Sequence, residues 1–186
     1  MRIRDMDVEV KFSERLIADG YVYAFGICAA DIDGDGHLDI VSADAHVGLY
    51  WYANDGEGNF TRHVIQYCPR TRLERMACAD LTGNGYPDIV IVDNIHGDLL
   101  LFENQGSPRD GRPWPCQYLA GPETDISLEP LPGALPHAYD VAIVDLTGNG
   151  HLDVAATSWY GNAVAWFENT GSAWVKHTIE EDIEGT

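Results

Sequence analysis

The chain has 186 residues, 45% hydrophobic and 10% aromatic, enough for a real core and not a disordered composition. Eleven Lys and Arg stand against 30 Asp and Glu, a formal net charge of −19, so the surface repels phosphate backbones and nucleic acid is excluded as a partner. Such a surface suits bound divalent cations, or is simply a solvated acidic face.

The first residues, from Met1 to Asp7, lack the apolar segment of a secretory signal, and no apolar run is long enough for a membrane span. Residues 12–17, Phe-Ser-Glu-Arg-Leu-Ile, resemble the last strand of each unit described below, and predict a stray outer strand. Three units then follow, over residues 21–66, 71–120 and 137–180. Each opens with a small apolar stretch, at residues 27–30, 76–79 and 141–144. A Gly/Asp loop comes next, then a second apolar strand, then an aromatic strand ending in a turn (Trp51 to Gly56, Leu101 to Gly106, Trp166 to Gly171). A fourth short strand closes each unit, at residues 60–65, 116–120 and 174–179.

Four short strands joined by Gly, Asn and Asp turns predict an antiparallel sheet. Repeats of this length and strand number predict an all-β fold of β-propeller blades. The small first strands suit a crowded axis, and the aromatic third strands suit packing between blades. The first Asp residues of successive loops are 49 and then 65 residues apart, the extra length lying at residues 107–115 and 121–136. Both stretches are rich in Pro and Gly and read as loop insertions, either binding loops or passive ones. Three blades and a stray strand fall short of a closed ring, so the chain is expected to join further blades in a longer parent chain or to self-associate.

The loops share the pattern D-x-[DT]-G-[DN]-G-x-x-D. Loop 1 offers Asp31, Asp33, Asp35, the carbonyl of His37, and Asp39. Loop 2 offers Asp80, Thr82, Asn84, Tyr86 and Asp88, and loop 3 offers Asp145, Thr147, Asn149, His151 and Asp153. Calcium takes six to eight oxygens from a flexible loop, and alternate residues of such a turn can point inward. Loop 1 is therefore the strong candidate. Loops 2 and 3 hold two carboxylates each and are weaker; without metal, their side chains cap the turn.

These loops and their flanking strands resemble the FG-GAP/VCBS repeat family, seen also in the propeller head of integrin α subunits. The resemblance covers residues 12–180 and implies a calcium-binding propeller module for ligand binding or scaffolding, with carbohydrate or protein as ligand, in an extracellular or cell-surface setting. Similar propellers occur in carbohydrate-active enzymes, including lyases and aldos-2-ulose dehydratase, so the propeller part of such an enzyme is the alternative.

A polar face is the other candidate site. Asp44 and Asp93 occupy equivalent places after the second strand. His46, His96 and Trp159 lie in neighbouring loops, and Arg72 and His137 precede a first strand. Together they could grip a sugar or a peptide. No nucleophile elbow, HExxH, P-loop or GxGxxG is present, so no catalytic residue is assigned. None of the four cysteines forms a CxxC pair. Cys28 and Cys78 fall on equivalent inner strands, and buried free thiols are expected, with a disulfide as the alternative.

Overall fold

A computed structural model describes residues 11–68, 71–120, 135, 138–159 and 161–180. These residues form three four-stranded antiparallel sheets. Blade 1 contains β1 (Ala24–Ala30), β2 (Asp39–Asp44), β3 (Gly48–Asn54) and β4 (Phe60–Tyr67). Blade 2 contains β5 (Leu73–Ala79), β6 (Asp88–Asp93), β7 (Asp98–Phe102) and β8 (Cys116–Ala120). Blade 3 contains β9 (Ala138–Val144), β10 (Asp153–Ser158), β11 (Ala163–Asn169) and β12 (Trp174–Glu180). Strands pair in chain order within each blade, and β1, β5 and β9 lie side by side. The sheets are blade-like and, over the described residues, do not close into a ring.

Blade 2 shows why the pattern folds this way. Successive residues of a strand face opposite sides. Ile89 and Ile91 of β6 join a core with Val41, Leu49, Trp51 and Ile65 of blade 1. Val90 and Val92 join a second core with Val154, Ala165 and Phe167 of blade 3. A strand buried on both faces needs an unbroken apolar run, and Ile-Val-Ile-Val supplies it. The aromatic residues of the third strands sit where packing between blades predicts: Trp51, Phe102 and Phe167 are all buried.

The inner strands approach closely. A Cβ on Gly26 would stand 2.0 Å from the Glu74 carbonyl oxygen of the next blade, so only glycine fits there. The same closeness corrects the expectation for two of the thiols. Cys28 of β1 and Cys78 of β5 hold equivalent places on neighbouring strands, with Cα atoms 6.4 Å apart, and are joined in a disulfide. Of the other two, Cys68 is half-buried and Cys116 is exposed.

Residues 12–17, expected as an outer strand whose partner strands lie in further blades, precede blade 1. They make no strand pairing, and Phe12 and Leu16 are exposed. An outer strand needs the free edge of a third strand, and β3, β7 and β11 are each paired on both sides. The segment touches the β3–β4 turn, where Arg15 donates to Asn59 Oδ1 at 3.0 Å.

Candidate metal centre

Each loop is wound around its first aspartate. Asp31 Oδ1 accepts the N–H groups of Gly34 and Asp35 at 2.9 and 3.1 Å, and Oδ2 accepts that of Gly36 at 2.9 Å. Asp80 repeats this with Gly83, Asn84 and Gly85, and Asp145 with Gly148 and Gly150. The tight winding needs positive φ at two places, and Gly34 (76°) and Gly36 (90°) supply it in loop 1.

The last aspartate of each loop is fully buried. Asp39 accepts from Ile32 N at 3.0 Å and from Asn54 N at 2.7 Å. Asp88 does the same with Leu81 and Asn104, and Asp153 with Leu146 and Asn169. Thr82 N also donates to Asp88, at 2.9 Å. This residue therefore ties the loop to the end of its blade's third strand. Burial pushes the Asp39 and Asp88 carboxyls above the usual range, partly offset by these N–H donors. Backbone donors led by Gly150 hold the half-buried Asp145 below it.

The fifth position separates the loops. Asn84 Nδ2 donates to the Asn104 carbonyl at 2.7 Å, and Asn149 Nδ2 to the Asn169 carbonyl at 3.1 Å. Loop 1 has Asp35 there, and a carboxylate cannot donate. Asp31, Asp33 and Asp39 each bring one carboxylate oxygen to within 4.8 Å of the others. Oxygens alone, gathered on a glycine-rich turn, fit calcium. The positive group now beside them is Arg109, from the first insertion, where Pro108–Asp110 form a short 3-10 turn. Its guanidinium donates to Asp33 Oδ2 and lies 3.9 Å from Asp35 Oδ2. The insertion thus reaches across blades to loop 1.

Residues 31–91 match a family described as FG-GAP-like repeat. The chain is also 29% identical over 151 residues to integrin alpha-PS3 of Drosophila melanogaster, covering 73% of this chain and 13% of the integrin. The chain therefore spans a small part of that relative's length.

Two further features recur in the repeats without an obvious sequence signal. The seventh loop residue was read for its carbonyl, yet its ring is what packs. His37 lies against Gly56, Tyr86 against Gly106 and His151 against Gly171. The pairing of a ring at that position with the glycine of the β3–β4 type turn was the readable clue. The second feature links blades. Asn104 Nδ2 donates to the Ile32 carbonyl of blade 1 at 2.7 Å, and Asn169 Nδ2 to the Leu81 carbonyl of blade 2 at 2.9 Å.

On the opposite side, the polar face is mostly occupied by structural bonds. Asp44 caps the entering chain by accepting from Val22 N and Tyr23 N at 2.8 and 3.2 Å. Asp93 accepts from Arg72 N at 2.9 Å, and the Arg72 side chain pairs with buried Glu74 at 2.6 Å. His46 Nδ1 lies 3.2 Å from the Thr71 carbonyl oxygen, and exposed Trp159 meets Tyr139 edge-on at 5.3 Å. His137 lies outside the described residues. His96 Nδ1 lies 2.6 Å from Asp93 Oδ2. Asp98, beside them, had gone unnoticed in the sequence; burial, with the Asp93 charge adding to it, pushes its carboxyl up to about 6.

Proposed function

We propose that the chain is a calcium-stabilised propeller module, with residues 1–186 forming one propeller region that presents its loops to a protein or carbohydrate ligand and joins further blades. The observation that carries the calcium reading is the convergence of Asp31, Asp33 and Asp39 in the loop that lacks the amide cross-link of the other two. Calcium in loop 1 takes Asp31, Asp33, Asp35, the His37 carbonyl and Asp39. In loops 2 and 3 the ligand sets Asp80, Thr82, Asn84, Tyr86, Asp88 and Asp145, Thr147, Asn149, His151, Asp153 are weaker, because Asn84 and Asn149 already satisfy the contact a cation would make.

An extracellular or cell-surface setting is supported by the similarity to an integrin α chain and by the Cys28–Cys78 disulfide, since such bonds persist in oxidising compartments. Further blades are supported by Leu146. Its counterparts Ile32 and Leu81 are covered by the following blade, whereas Leu146 is 50% exposed. Exposed blade faces favour association.

Thermal melts in calcium and in EGTA test the proposal. Calcium at about 100 times its Kd is expected to raise Tm by roughly 5–10 °C. Asp33→Ala should abolish the rise, and Thr147→Ala should not. A wild-type protein indifferent to calcium would sink the reading.

A further inference from the structure

The β6–β7 hairpin of blade 2 reads Asp93-Asn94-Ile95-His96-Gly97-Asp98. We propose that this hairpin is a second metal site, independent of loop 1, that takes a divalent transition metal of the zinc class on Asp93, His96 and Asp98. Each of the three residues brings one ligand atom to within 4.8 Å of the others. Asp93 and Asp98 are 1% and 6% exposed, while the His96 side chain, at 22%, leaves a way in from solvent.

Two observations ask for a cation there. Asp93 and Asp98 are directly opposed in the β6–β7 register, and like charges in that relation repel. Moreover, Asp98 Oδ1 is buried with no hydrogen-bond partner among the described residues. A buried carboxylate oxygen without a partner is costly, and an ion is one of the few things that explains it. A single imidazolium offsets one of the two negative charges; a divalent metal offsets both.

The fold does not need this acid. The residue opposite Asp44 in blade 1 is Gly48, and the residue opposite Ser158 in blade 3 is Ala163. The turn between the paired positions has three residues in blade 1 and four in blade 2, and among the described residues only blade 2 places an imidazole between two carboxylates. Ligand type then separates the two sites. Loop 1 offers oxygen alone and selects calcium, whereas an imidazole with carboxylates suits zinc and its neighbours. Three protein ligands leave a position for water or for a group from outside.

Zinc titration by calorimetry, and cobalt as an absorption probe, test the site in the full chain saturated with calcium. Cys68 and Cys116 lie within electrostatic reach of Asp93 and Asp98, so the background variant is Cys68→Ser/Cys116→Ser. The expected result is one zinc per chain, with affinity lowered about tenfold or more by either His96→Gln or Asp98→Asn. His177→Gln, which removes an imidazole paired with Glu168 outside both sites, should leave zinc affinity unchanged. Circular dichroism and melting of the metal-free variants check that they fold; Asp98→Asn removes a buried like-charge contact and should melt no lower than the parent. The proposal is overturned if the background variant takes up no zinc at millimolar concentration. It is equally overturned if well-folded His96→Gln and Asp98→Asn bind zinc as the parent does, since the metal then sits elsewhere.

Discussion

One amide decides how each loop is closed. In loops 2 and 3 the fifth residue is Asn, whose Nδ2 donates to the carbonyl of the asparagine at or just past the end of the third strand. Asp35 keeps the other half of the pattern, since its Oδ1 accepts His37 N at 2.9 Å just as Asn84 Oδ1 accepts Tyr86 N. Its second oxygen is an acceptor where the other loops have a donor. By equivalence of position, Asp35→Asn should supply the donor that Asn84 and Asn149 provide in the other loops. The variant is expected to gain about 1 kcal/mol in the metal-free state from the new hydrogen bond. Its calcium affinity should fall, because site charge sets affinity in such loops. Urea unfolding in EGTA, paired with calcium calorimetry, measures both. A variant that loses stability without metal would show that Asp35 is held by something other than its charge.

Between residues and blades, the recurring device is the asparagine that ends β3 and β11 and follows β7 by two residues. Asn104 is fully buried. Its backbone N–H goes to Asp88, its Nδ2 to Ile32 of the preceding blade, and its Oδ1 accepts Gly106 N at 3.0 Å. Asn54, in the first blade, donates instead to Leu38 of its own loop in an exposed setting. Asn104→Ala strands a buried carbonyl and is expected to cost roughly 1–3 kcal/mol, whereas Asn54→Ala should cost well under half of that. Chemical unfolding of the two variants gives the comparison, and equal losses would refute a role for this asparagine in coupling blades. The blades themselves were legible in the residues, because two-residue alternation, glycine turns and a thrice-repeated loop leave few other folds. The links between blades were not. The asparagine is part of a visible turn motif, but its partner is 72 residues away, and Arg109 meets Asp33 at a separation of 76. Asp98 was invisible for the same reason on a smaller scale. It begins a strand, and only the register that sets it against Asp93 gives it meaning. Residues 12–17 resemble β4, but likeness alone does not name the blade whose edge would receive them.

At the scale of the whole molecule, the two junctions between blades are built differently. Blades 2 and 3 share an apolar core and the Asn169 bond, with no covalent link among the described residues. Blades 1 and 2 share an apolar core, the Asn104 bond and the Cys28–Cys78 disulfide, which closes a loop of 50 residues. In the chain-entropy account, a loop of that length contributes about 4 kcal/mol by restricting the unfolded state. Stability in stacked repeats is close to a sum of unit and nearest-neighbour terms, so the loss of one link acts locally. Cys28→Ser/Cys78→Ser should therefore weaken blade 1 far more than blade 3. Hydrogen exchange resolves this, because protection of the β1–β4 amides would drop while that of β10 and β11 would hold. A uniform drop across all three blades would mean that the molecule unfolds as one unit. No drop in blade 1 would mean that the interblade core, with Trp51 and Phe102 at its centre, is sufficient without the sulfur link.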